Sequence, residues 1–145
     1  MRKIAAIDHD DAWVALKIVR ETVKTNDKKL VFVIVDSHGE ILSLYRHADA
    51  MLSSVTLATN KAYTAARLRR PSSALGQKSR SADEGFDIAS FGDARVTAFG
   101  GGLPILYDGM VIGAVGVSGL PEAEDIEIAQ LAVDTIEARW RTTQP

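Results

Sequence analysis

Hydrophobic positions along this chain change their period several times, and each change marks a predicted element. Ala12, Leu16, Val19 and Val23 recur at helical spacing with Trp13 beside the stripe, which predicts a first helix running down to Lys24–Asn26. Asp8 is a good cap for it, and Asp10 and Asp11 favour its dipole. Leu30–Val35 (LVFVIV) is almost continuously apolar and β-branched, the pattern of a central strand covered on both faces. Asp36-Ser37-His38-Gly39 forms a turn, and Ile41–Tyr45 returns as a second strand. Ser54–Arg70 reads as a second helix, closed by the Arg70-Pro71 boundary, and Ser72 or Ser73 caps a short helix toward Lys78. Residues 77–99 show no clean period and read as a mostly irregular excursion with room for a short helix. Leu103–Tyr107 and Met110–Val117 flank Asp108-Gly109 as the clearest hairpin in the chain. Pro121 sits in the first turn of a last helix, followed by Glu122, Glu124 and Asp125, with Ile126, Ala129, Val133, Ile136 and Trp140 as its inward stripe.

The order is therefore α-β-β-α-(α/loop)-β-β-α in one domain over 1–145. Two antiparallel hairpins separated by helices predict an α+β layered fold with an antiparallel sheet of about five strands, the fifth drawn from Arg95–Phe99. The apolar outer strands, Trp13 and Trp140 leave more hydrophobic surface than a small domain should expose, so a homo-oligomer is expected.

One polar residue breaks the pattern. On the second helix Leu57, Ala58, Ala62, Ala65, Ala66, Val55 and Leu68 form one broad arc, opposite Thr56, Asn60, Tyr63, Thr64 and Arg67. Lys61 falls inside the apolar arc. Taking an ammonium out of water costs several kcal/mol, so either its stem snorkels to the edge or it meets an anion, a carboxylate or a reactive carbonyl.

Composition narrows the classes. The 145 residues carry 46% hydrophobic and 25% charged side chains, the balance of an ordinary globular domain. A net charge of −2 gives no global field to recruit nucleic acid or a membrane surface. No cysteine is present, which removes disulfides, thiolate metal sites and Cys nucleophiles. The opening MRKIAAIDHDD lacks the apolar core of a signal peptide and no 18-residue apolar run occurs, so a cytoplasmic protein is expected. Charge is unevenly spread. Between Ala50 and Ala82 there is no Asp or Glu, and between Val96 and Ala138 no Lys or Arg, which suits either complementary surfaces or an anion site.

Glycine clusters before and within the last hairpin, at Gly100-Gly101-Gly102 and at Gly113, Gly116 and Gly119. Ser118-Gly119 lies between a strand and a helix start, where free N–H groups can hold a carboxylate or phosphate. There is no P-loop, no dinucleotide fingerprint and no Gly-x-Ser-x-Gly elbow. His9, His38 and His47 lack metal-ligand spacing, so no metal site is predicted.

Three segments together resemble the GlcG/HbpS family, which includes the C-terminal domain of PduO-type proteins. They are Asn60–Leu75 (NKAYTAARLRRPSSAL), Phe99–Ile105 (FGGGLPI) and Gly109–Gly119 (GMVIGAVGVSG). The resemblance implies a profilin-like α/β/α sandwich, usually a homo-oligomer. Lys61, Gly101, Gly102, Pro104, Ser118, Gly119 and Asp125 match its recurrent positions. Haem binding is attributed to some members, so haem becomes a candidate cofactor, with no ligand role implied for His9, His38 or His47. The common Asp-Gly-Ala after the second strand is Asp49-Ala50-Met51 here.

Three functions compete. In the first, a homo-oligomeric binding protein takes a small carboxylate metabolite or the propionates of a tetrapyrrole, with Lys61 as the cation and Gly101, Gly102, Ser118 and Gly119 as amide donors. In the second, an enzyme acts on a small oxo or hydroxy acid, with Lys61 as base or Schiff-base nucleophile and Asp125 assisting proton transfer. In the third, a structural module has no ligand and Lys61 pairs internally with a carboxylate such as Asp125.

Overall fold

The computed structural model describes residues 4–144, so the first three residues of the opening segment lie outside the described residues. Helix α1 (His9–Asn26) starts where the Asp8 side chain accepts from the Asp10 and Asp11 amides and Asp11 returns the bond to the Asp8 N–H. Strands β1 (Val31–Asp36) and β2 (Ile41–Arg46) form the first hairpin. Helix α2 (Ser53–Leu68) and the short α3 (Ser72–Ser79) follow, then a 3₁₀ turn at Ile88–Phe91. Strands β3 (Gly102–Tyr107) and β4 (Met110–Ser118) make the second hairpin, and α4 (Glu122–Thr143) ends the chain.

The sheet has four antiparallel strands in the order β2-β1-β4-β3. The two hairpins join through β1 and β4, which place Val31 opposite Ser118 and Val33 opposite Gly116. As the unbroken apolar run of β1 requires, both its faces are covered. Phe32 and Ile34 enter the core beneath α1 and α4, while Val31, Val33 and Val35 meet the alanines of α2. Burying each such side chain stabilises the fold by about 1.5–3 kcal/mol, so this strand is where the layers are tied together. On the other face α2 lies almost on the backbone of β4. A Cβ at Gly116 would stand 2.1 Å from the Ala58 carbonyl oxygen, so only glycine permits that approach.

Four expectations are corrected. Residues 95–99 form no strand, because their donors are used elsewhere. The Arg95 amide bonds to Asp93 Oδ1 (3.0 Å), the Thr97 amide bonds to Thr64 Oγ1 (3.0 Å), and Val96 packs with Tyr63 and Leu75. That segment covers Tyr63 and Thr64, which are consequently buried although they lie off the apolar arc. In α4 the inward residue is Ile128 rather than Ile126, in a face running through Asp125, Ala129, Ala132, Val133, Ile136 and Trp140. Trp140 is not a surface residue. Its ring meets Tyr107 edge-on at 5.2 Å, and its indole N–H donates to Asp11 Oδ2 at 3.1 Å.

Candidate functional site

Because α2 rests on β4 through small residues, the Lys61 side chain runs along the sheet toward the C-terminal end of β4. There its ammonium donates to the Val117 carbonyl (2.8 Å) and to Asp125 Oδ2 (3.0 Å). Asp125 stands in the first turn of α4, where an acid also suits the helix dipole. Its other oxygen accepts from the Leu120 amide at 3.1 Å, which fastens the β4–α4 connection. Both side chains of the pair are about 4% exposed, and the bond joins the acid-free stretch to the base-free stretch. Burial pushes the Asp125 carboxyl above its ordinary value, against the Lys61 ammonium and the Leu120 amide, which favour the carboxylate.

Gly101 closes the back of this arrangement. Its φ is +119°, and a Cβ there would come within 2.6 Å of the Val117 carbonyl oxygen and 3.0 Å of Lys61 Nζ. A glycine is therefore a condition for the ammonium to lie where it does.

Above the pair opens a cleft of about 300 Å³ whose wall includes Lys61, Asp125, Ser118 and Gly119. Gly101 lies behind the ammonium, and Gly102 contributes no free amide, because its N–H donates to Ser72 Oγ at 2.9 Å. Sequence reasoning did not identify Ser54, Leu57, Met51, Phe99 and Glu122 as cleft residues. Ser54 and Leu57 lie seven and four positions before Lys61, a helical spacing that carried the signal. Met51 and Phe99 come from connections without a period. They stand 68% and 60% exposed, which gives an ionic floor an apolar rim.

None of the three histidines lines the cleft. The His47 ring accepts from the Asp49 amide at 3.1 Å, His9 is exposed in the first turn of α1, and His38 sits in the β1–β2 turn. Among the described residues no group of three His, Asp or Glu side chains is placed to hold a metal ion. Among them, too, no helix is long and apolar enough to cross a membrane.

An antiparallel sheet between helical layers, with a buried lysine–aspartate pair under a glycine-lined cleft, defines a small α+β domain of the profilin-like kind. A family model described as haem degrading protein HbpS-like matches residues 7–134, and the chain belongs to that family. It is 37% identical over 105 residues to an uncharacterised 15.0 kDa protein of the dhaT–dhaS intergenic region of Citrobacter freundii, covering 72% of this chain and 74% of that one. The crystal structure of Klebsiella pneumoniae protein ORFY superposes with a TM-score of 0.86 at 28% identity, covering 95% of each chain. That of a PduOC–haem complex superposes with a TM-score of 0.82 at 29% identity, covering 90% of this chain and 95% of that one.

Proposed function

We propose that this chain is a ligand-binding protein whose Lys61 cleft takes the carboxylate of a largely apolar ligand, with a tetrapyrrole propionate as the first candidate. One observation carries the reading. An ammonium has three donors, and the protein accepts two of them, at Val117 and Asp125, on a lysine that lines an open cleft. The remaining N–H, with the Ser54 and Ser118 hydroxyls, suits one carboxylate, and Met51, Leu57 and Phe99 suit an apolar body. At about 300 Å³ the cleft lies at the small end of ligand sites, so it fits one edge of a macrocycle and leaves the body against the rim. The haem in the PduOC complex supports this choice. The donors suit a carboxylate, against the opposing charges of Asp125, which Lys61 neutralises, and of Glu122 in the same wall; with no histidine there, the lining assigns nothing to the iron.

Self-association belongs to the same reading. Trp13 is 66% exposed, and Leu106 and Met110 on the outer hairpin are 45% and 49% exposed, surface that a second copy would cover. The absence of cysteine agrees with a cytoplasmic setting.

Titration with haemin and with its dimethyl ester tests the proposal. Haemin should give a saturable Soret transition, the ester should bind at least about tenfold more weakly, and Phe99→Ala should weaken both. Non-saturating spectra, or equal affinity of acid and ester, would overturn it. Light scattering over a dilution series should return a multiple of the one-chain mass.

A further inference from the structure

At the opposite end of α2 a second cleft of about 230 Å³ is built from the C-terminus of α2, α3 and the segment that follows. Leu75, 5% exposed, and the half-buried Leu68 form its floor. Phe86 and Phe91 form a wall, their ring centroids 5.8 Å apart and their planes tilted by 50°. Arg70 and Lys78 stand at the rim.

We propose that this cleft binds a small aromatic carboxylate. Two phenyl rings inclined to one another offer a third ring one face and one edge, the arrangements aromatic groups prefer. Phe91 is left 41% exposed, apolar surface that such a ring would cover. The charge at the rim is of one sign. No acidic residue lines the cleft, and neither Arg70 nor Lys78 takes part in an ion pair among the described residues. The acid between the aromatic walls, Asp87, is turned to accept from the Ala89 amide at 2.9 Å. A guanidinium fork beside an apolar slot matches a planar carboxylate carried on a ring, and Lys78 adds a second positive charge. The site shares no lining residue with the Lys61 cleft.

Amide-resolved NMR titration with benzoate, benzamide and acetate tests the assignment on the whole chain. Benzoate should give saturable shifts in residues 68–78 and 86–91 with a Kd of about 1 mM or tighter. Benzamide, which lacks the charge, and acetate, which lacks the ring, should each bind at least about tenfold more weakly. Arg70→Gln, at an exposed position, should weaken benzoate about tenfold, leaving benzamide and the unfolding midpoint unchanged. No saturation with benzoate, or equal binding of benzamide, would overturn the proposal. Benzoate shifts confined to Ser54, Gly100 and Ser118 would also overturn it, because they would place the ligand over Lys61. Failure at this cleft leaves the haemin titration unaffected, because the two clefts share no lining residue.

Discussion

Lys61→Met removes the ammonium but keeps an unbranched stem, and leaves the Asp125 carboxylate with the Leu120 amide as its remaining donor. The side chains of both partners are about 4% exposed, so solvent cannot take over the lost interaction. Breaking a buried pair from one side costs about 3–5 kcal/mol, mostly through the stranded charge. Burial already raises the Asp125 pKa, so the stranded carboxyl can take up a proton, which holds the cost near the lower end, about 3 kcal/mol. Asp125→Asn keeps an acceptor for the Leu120 amide and leaves the ammonium on the Val117 carbonyl, at a similar cost of about 3 kcal/mol. The double variant holds no buried charge at this place and should lose less than about 2 kcal/mol. The coupling energy is then at least about 4 kcal/mol, far outside the ~0.5 kcal/mol within which independent sites add. Guanidinium unfolding of the four proteins at one protein concentration measures it, and each single variant should also melt roughly 6–12 °C lower. Single-variant losses that add to the double-variant loss within about 0.5 kcal/mol would refute the reasoning.

The pair also sets a direction for pH dependence. Burial holds the Asp125 pKa above its ordinary 3.8, so its contribution to stability is full below that value and is lost as pH rises through the folded pKa. A pH series of unfolding midpoints should lose that component in Asp125→Asn; an unchanged profile would contradict it. Asp93 works in the opposite sense. The Tyr63 hydroxyl, then the Arg95 amide and guanidinium, hold its pKa at about 2, so its contribution is present above 3.8 and is lost as pH falls through about 2. Tyr63→Phe removes the hydroxyl donor to Asp93 but keeps the ring under the Arg95 guanidinium, 4.0 Å from its centroid. Hydrogen exchange at the Thr97 amide should then quicken while α2 stays protected; no change would mean the turn at Asp93 holds that segment unaided. Gly101→Ala meets the Val117 carbonyl at 2.6 Å with φ at +119°, so it should cost at least about 2 kcal/mol in thermal unfolding, and a neutral result would refute the account of that glycine.

Most of the layered fold was legible, because β1 announces a two-faced strand and the Asp108-Gly109 hairpin announces its partner. What escaped has a common physical form. Periodicity scores inward positions by hydrophobicity, so it finds an inward lysine by contrast with its alanine neighbours. It cannot find an inward aspartate in a first helical turn, where the dipole already accounts for an acid. The stripe read for α4 holds at Ala129, Val133, Ile136 and Trp140 and departs at its start, where Ile128 is buried instead of Ile126. Trp140 was legible as the end of that stripe, but the acceptor that lets its indole go inside was not, since it is Asp11, 129 residues away. Tyr63 and Thr64 lie beneath a segment without a period, so nothing local marks them as buried. The candidate site follows the same rule. Lys61, Ser118 and Gly119 were readable one element at a time, and Asp125 was readable as a carboxylate of the right kind. Their meeting depends on β1 pairing with β4, which sets the two hairpins side by side and lays α2 over the end where α4 begins. That pairing is set by the packing of layers, and it makes a lysine and an aspartate 64 positions apart into the floor of one cleft.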